Sequence, residues 1–126
     1  LATDFSDNSR EAEKVTLQLA PHADKIIIVT VAEREAEKKQ ESPLKPEEKE
    51  KLTSLKDELK EYCDDVEVRL EEGIASKSIN RIADEENSTL IILGKRGKGG
   101  LKELLLGSTA EAVARRSKKP VLLIPP

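Results

Sequence analysis

Cysteine and histidine occur once each in these 126 residues, as Cys63 and His22, and methionine and tryptophan not at all. Phe5 and Tyr62 are the only aromatic side chains of their class. A lone cysteine excludes an intrachain disulfide and suits a reducing compartment. With a single imidazole beside it, one chain cannot assemble a Cys/His zinc site. Two aromatics cannot build the stacking platform that single-stranded nucleic acid requires. A net charge of −3 gives no dominant basic face for sequence-independent binding to nucleic acid, so a nucleic-acid partner is not expected. No apolar run approaches the roughly 20 residues of a membrane span, and no signal-peptide pattern opens the visible sequence. Because the chain lacks an initiator methionine and opens inside an apolar-to-turn transition, its first strand is expected to be missing its N-terminal part.

What the sequence does have is apolar and charged residues at 37 % each. That balance suits one core under a heavily ionised surface, read as one domain over residues 1–126. Leu1–Ala2–Thr3 reads as a strand ending, followed by a polar cap at Asp4–Phe5–Ser6–Asp7. Ala12, Val15, Leu19 and Ala20 recur at helical spacing up to Pro21. Ile26 to Val31 is β-branched and apolar on both faces, as a strand covered on both sides should be. The charged stretch 33–45 reads as a loop or a loosely held helix. Pro46 then suits the first turn of a helix with Leu52, Leu55, Leu59 and Tyr62 inward. Val66, Val68 and Leu70 alternate with charges like a half-exposed edge strand. Gly73 leads to a helix with Ile79, Ile82 and Ala83 inward, then to the strand Leu90–Leu93. A last helix from about Ser108 to Ser117, with Ala112 and Val113 inward, precedes the strand Val121–Ile124.

Strand and helix alternate through five strands and four helices. That pattern predicts an α/β three-layer sandwich, a parallel sheet with helices on both faces and right-handed crossovers. Ligands of such sheets bind at the carboxyl ends of the strands, where strand order reverses. Asp4, Val31 and the loop beginning at Gly94 should meet at that edge.

The loop is the most unusual stretch of the chain: Gly94 to Gly100 holds four glycines and the cations Lys95, Arg96 and Lys98. A glycine-rich loop between a strand and a helix start at Gly107–Ser108 can hold an anion through backbone N–H groups and the helix dipole. It can equally be a solvated basic connection, and composition alone leaves both open. No Walker-type string occurs, and the dinucleotide pattern fails because the third glycine position after Gly97 and Gly99 is Lys102. Ser108 has no histidine partner for a triad, since His22 sits at a distant helix end. Cys63 reads as a small, partly buried apolar residue. Glu71–Glu72, Asp64–Asp65 and Asp84–Glu85–Glu86 read as solvated turns and helix ends.

One pattern fits without a gap: Gly94–x2–Gly97–x9–Gly107–Ser108. It resembles the ATP-binding signature Gly-x2-Gly-x9-Gly-Ser/Thr of the universal stress protein family. The resemblance covers the whole chain, through Thr3–Asp4–Phe5–Ser6, Val29–Thr30–Val31, Glu72–Gly73–Ile74–Ala75 and Lys119–Pro120–Val121–Leu122–Leu123–Ile124. It implies a Rossmann-like fold of the adenine nucleotide α-hydrolase type, with strand order 3-2-1-4-5. It also implies a cytoplasmic homodimer paired through Val121–Ile124. In the nucleotide-binding branch Asp4 and Val31 would hold adenine, with backbone near Ala2 and Leu93 lining the same pocket. Gly94 and Gly97 would approach ribose and phosphates. Gly107, Ser108 and Thr109 would meet the phosphate chain, although relatives carry Val or a small residue where Thr109 stands. ATP, with Mg²⁺ or Mn²⁺ bound through phosphate oxygens and water, is the implied ligand. No residue is assigned a catalytic or metal-ligating role. With Asp4 at the adenine end, no base is evident beside the phosphates, so at most slow hydrolysis is expected. The alternative is a dimeric scaffold of the same fold that binds no nucleotide. The Ser-Gly-Gly-x-Asp-Ser and His-x-Gly-His strings of related enzymes are absent.

Overall fold

A computed structural model of the chain describes residues 1–32, 44–97 and 106–126. The expectations for segment 33–43 and for Lys98 and its neighbours through residue 105 lie outside them. Four strands and four α-helices alternate: α1 (Arg10–Leu19), β1 (Ile26–Ala32), α2 (Pro46–Lys60), β2 (Val66–Glu72), α3 (Ala75–Glu85), β3 (Ile91–Gly94), α4 (Ser108–Arg116) and β4 (Val121–Ile124). Short 3₁₀ turns, Asp7–Ser9 and Ala20–His22, flank α1. Proline is tolerated in the latter because a first-turn N–H has no intrahelical partner to lose.

β1 pairs in parallel with β2, from Ile26 opposite Val66 to Ala32 opposite Glu72. β3 pairs in parallel with β4, from Ile91 opposite Val121 to Gly94 opposite Ile124. Ala2 lies between these two-stranded sheets, bridged in parallel to Val29 and to Leu93. Its N–H donates to the Ile92 carbonyl at 2.9 Å, while Thr3 N–H donates to the Val29 carbonyl at 3.0 Å. The first segment therefore contributes isolated bridges where the sequence predicts a strand, because Ala2 alone has a ladder partner on each side.

Two apolar clusters sit on opposite sides of β1, as alternation along a strand requires. Ile26 and Ile28 pack with Ala20, Leu55, Leu59, Cys63 and Val66. Val29 packs with Ala2, with Ile79, Ile82 and Ala83 of α3, and with Ala110 and Val113 of α4. Helices thus cover both faces, as the run of β-branched residues predicts.

The predicted stripes fail at their ends. Leu19, the last residue of α1, is 38 % exposed, and Tyr62 (54 %) and Leu90 (38 %) fall outside α2 and β3, past the C-terminal end of one and before the start of the other. Thr16 is buried instead, its hydroxyl satisfied by the Ala12 carbonyl at 2.9 Å. Cys63 is fully enclosed, and His22 is exposed as expected.

The charged positions of β2 are more than a wetted edge. Register places Glu67, Arg69 and Glu71 beside Ile27, Val29 and Val31, on the face that carries α3. There Lys25 meets Glu67 at 2.9 Å and Glu86 at 3.5 Å, and Arg69 joins Glu86 at 3.5 Å to Glu71 at 3.1 Å. Arg81 of α3 closes the chain of charges on Glu71 and Glu85. Glu71, Glu85 and Glu86, read from sequence as solvated, are members of this network. Lys25 and Arg81 are held above their ordinary pKa mainly by their hydrogen bonds to Glu67 and Glu85, and Glu67 is held below its own by Lys25.

Leu59→Ala removes a wholly enclosed side chain and is expected to cost about 2–5 kcal/mol in urea unfolding. Leu19→Ala should change stability by less than about 0.5 kcal/mol; equal losses at the two positions would contradict this assignment of the core.

Candidate functional site

Parallel strands point the same way, so Thr3, Ala32 and Gly94, where their segments end, gather at one edge. A cleft of about 560 Å³ opens there. All nine residues singled out from the sequence line it: Ala2 and Asp4, Val31, Leu93, Gly94 and Gly97, and Gly107, Ser108 and Thr109. Ala2, Val31 and Leu93 come from adjacent chains of the sheet and form an apolar floor. The two halves of the glycine pattern form one wall, and Asp4 stands opposite Gly97.

The halves are joined directly. Gly107 N–H donates to the Lys95 carbonyl at 2.8 Å, and Lys95 N–H donates to that of Ile124 at 2.8 Å. A Cβ on Gly107 would lie 3.2 Å from the Lys95 oxygen and 3.3 Å from Arg96 Cα. A Cβ on Gly94 would lie 3.0 Å from the Arg96 carbonyl oxygen and 3.1 Å from that of Asn8. Both positions need glycine because backbone packs on backbone. Gly97 differs: among the described residues the atom its Cβ would meet is a side-chain oxygen, Asp4 Oδ2, at 3.1 Å. The Asn8 side-chain amide donates to the Gly97 carbonyl at 2.8 Å, tying the loop to the turn that carries Asp4.

α4 starts at Ser108 on the cleft wall, and its N-cap Gly107 offers no side chain to its first amides. Those N–H groups and the positive end of the helix dipole form an anion-compatible corner. Arg96 also lines the cleft, and its buried Nε has no hydrogen-bond partner among the described residues. Lys95, by contrast, does not line it.

Beneath Asp4 the turn is densely bonded. Asp4 Oδ1 accepts from Ser6 N–H at 2.9 Å, and Thr3 Oγ1 donates to Glu13 Oε1 at 2.7 Å. Burial raises the Glu13 pKa above its ordinary value and Asp4 adds to the effect, while the Thr3 hydroxyl, Lys51 and Arg10 oppose it.

Leu44, Lys45 and Glu48, at the start of α2, also line the cleft, as do Ala75 and Ile79 of α3. Spacing gave no sign of the α2 group, which depends on where the helix enters over the sheet. The apolar pair could have been reached from the Gly73–Ala75 junction. Asn8 had no signal either, since its partner is 89 residues away.

Parallel strands alternating with helices, with a cleft at the carboxyl ends of the strands, place the architecture in the Rossmann-like α/β class. The sequence profile of the universal stress protein family matches residues 1–125, and the chain belongs to that family. It is 39 % identical over 90 residues to universal stress protein MJ0577 of Methanocaldococcus jannaschii, a match covering 71 % of this chain and 56 % of that protein. Universal stress protein MJ0531 of the same organism is 33 % identical over 135 residues, covering 98 % and 79 %. The solved structure of MJ0577 superposes with a TM-score of 0.86 at 32 % identity, covering 98 % of this chain and 91 % of that one. A universal stress protein solved in complex with cAMP gives a TM-score of 0.71 at 28 % identity, covering 98 % and 93 %.

The Glu13 shift has a definite sign. A carboxyl with a raised folded pKa binds more protons folded than unfolded, so stability falls as pH rises through the window between its ordinary value and the raised one. Glu13→Gln, which keeps an acceptor for Thr3, should flatten that limb and be at least as stable as the parent at pH 7. A steeper loss with rising pH in the variant would contradict the assignment.

Proposed function

We propose that the protein binds ATP in this cleft and acts as a nucleotide-dependent regulatory or protective factor in the stress response, with at most slow hydrolysis. The observation that carries this reading is the hydrogen-bonded closure of the two glycine segments, which brings Gly97, Gly107 and the first turn of α4 opposite Asp4. The cleft volume lies within the roughly 300–1,000 Å³ usual for small-molecule sites. The fit to a nucleotide is also chemical. An apolar floor at Ala2, Val31 and Leu93 suits a base, and Asp4 supplies an acceptor for an exocyclic amine. Gly94 and Gly97 line the side of the cleft that ribose and phosphates would approach, and Gly107, Ser108 and Thr109 offer donors to the phosphate chain. The cAMP complex of a relative supports an adenine ligand. Mg²⁺ or Mn²⁺ would be held mainly by phosphate oxygens and water, since among the described residues no group of three or more His, Cys, Asp or Glu side chains is placed to hold a metal.

The same reading makes Leu1–Thr3 the first strand of a single-domain, five-stranded sheet in the order 3-2-1-4-5, supported by the two bridges of Ala2. The reading extends to a cytoplasmic homodimer, and the exposed side chain of Leu122 on β4 supports pairing along Val121–Ile124. No helix among the described residues is long and apolar enough to cross a membrane.

Titration calorimetry with ATP in Mg²⁺ is expected to show one site per chain. Gly97→Val should weaken binding by at least about tenfold, or roughly 1.4 kcal/mol, with an unchanged circular dichroism spectrum. Absence of ATP-dependent heat and of any thermal shift would overturn the proposal. Leu122→Arg is expected to give monomers in analytical ultracentrifugation while ATP binding persists.

A further inference from the structure

Asp4 is aimed across the cleft by a turn that its own residues do not favour. Phe5 has φ of 59°, in the left-handed region that a bulky side chain enters only against steric resistance. Its ring is buried, and its backbone is held at both ends. Phe5 N–H donates to Thr3 Oγ1 at 3.1 Å, and Lys51 Nζ of α2 donates to the Phe5 carbonyl at 3.1 Å. The adjacent Ser6 N–H is the donor to Asp4 Oδ1. A strained residue persists only where its surroundings over-determine it, and such residues gather at functional sites.

The outermost member of this arrangement is Glu13, on α1. Thr3 has one hydroxyl proton and two oxygen acceptors within reach: Glu13 Oε1 at 2.7 Å and Ser9 Oγ at 3.1 Å. Ser9 Oγ already donates to the Ser6 carbonyl at 2.9 Å. The shorter, charge-assisted bond takes the Thr3 proton, which leaves a lone pair of the same oxygen turned to Phe5 N–H. Glu13 does not line the cleft. Its hydrogen bond toward the cleft runs through Thr3, whose hydroxyl oxygen meets the Phe5 N–H.

We propose that Glu13 is a positioning residue for the cleft: by accepting the Thr3 proton it fixes the left-handed turn at Phe5, and so the direction in which Asp4 faces the base of a bound adenine nucleotide. This rests on the nucleotide-binding reading above. The raised pKa of Glu13 supports it, because a carboxylate that burdens the fold at neutral pH is accounted for by what it orients. Arg10 on α1, Lys51 on α2 and Asp4 in the turn are the charged groups that act on it.

The test compares Glu13→Leu, Glu13→Gln, Thr3→Val and the Glu13→Leu/Thr3→Val double variant, by amide hydrogen exchange without ligand and by calorimetry with ATP. Glu13→Leu and Thr3→Val should each speed exchange at Phe5 and Ser6 by about tenfold while distant β1 amides stay protected. Each should weaken ATP by about fivefold or more, and the double variant should be no worse than Thr3→Val, since both break one relay. Glu13→Gln, which retains an acceptor oxygen, should restore exchange and affinity together. Unchanged exchange at Phe5 and Ser6 in Glu13→Leu would overturn the proposal, as would additive losses in the double variant. Faster exchange with ATP affinity within about twofold of a binding parent would overturn the link from turn to ligand. If the parent itself binds no ATP, the nucleotide reading fails, while the exchange pattern still decides whether Glu13 sets the turn. Thr3→Ala, which also removes the hydroxyl, replaces Thr3→Val if the latter does not fold, and Thr3→Ser, which keeps it, should behave like the parent.

Discussion

The double pairing of Ala2 is the constraint from which the rest of the molecule follows. A residue bridged to Val29 on one side and Leu93 on the other must satisfy its backbone within the sheet and bury its side chain against α3 and α4. A small apolar residue meets both demands. Once the chain passes between β1 and β3, it can leave only at their carboxyl ends, and the next two residues, Thr3 and Asp4, fall where the flanking strands also end. The cleft is therefore a product of topology before it is a product of its lining, and the polar residues of the turn are delivered to it by one backbone path.

Within that cleft the glycines have different duties. Gly94 and Gly107 are required by the fold itself, because the loop, the Asn8 backbone and the start of α4 come within contact distance there. At Gly97 a Cβ would press on the Asp4 carboxylate at 3.1 Å, so the missing side chain there lets Asp4 stand against the loop. The thirteen-residue interval between Gly94 and Gly107 is closed by one hydrogen bond, from Gly107 to Lys95. This makes the bipartite pattern a single wall in space. The loop is also tied at Gly97 to Asn8, so both sides of the cleft share one support.

Much of this was legible in the sequence because it depends on local order. Val121–Ile124 is a run of four apolar residues between Pro120 and Pro125, and β4 occupies those four residues. Pro46 opens α2 because its fixed φ and missing N–H suit a first turn. The nine candidate residues line one cleft because strand ends converge. What escaped depends on distance and register. Leu19 and Tyr62 keep the helical period, but the period does not say where the helix stops, and α1 ends at Leu19 and α2 at Lys60. Thr16 is polar by composition and buried in fact, since its hydroxyl bonds to its own helix. Glu71 and Glu86 looked solvated because their partners, Arg69, Arg81 and Lys25, are set by the pairing of β1 with β2 and the placement of α3. Leu44, Lys45 and Glu48 reach the cleft only because α2 begins above it.

The string of charges over β2 and α3 carries a consequence for heat. Hydration of ions becomes less favourable as temperature rises, so the penalty for drawing seven charged side chains together shrinks while their mutual attraction remains. An isolated exposed pair contributes little at room temperature, but a connected series gains as water loosens its hold. Among the described residues β2 pairs through its backbone with β1 alone. Its outer face is thus fastened by the kind of interaction that weakens least when the hydrophobic contribution levels off.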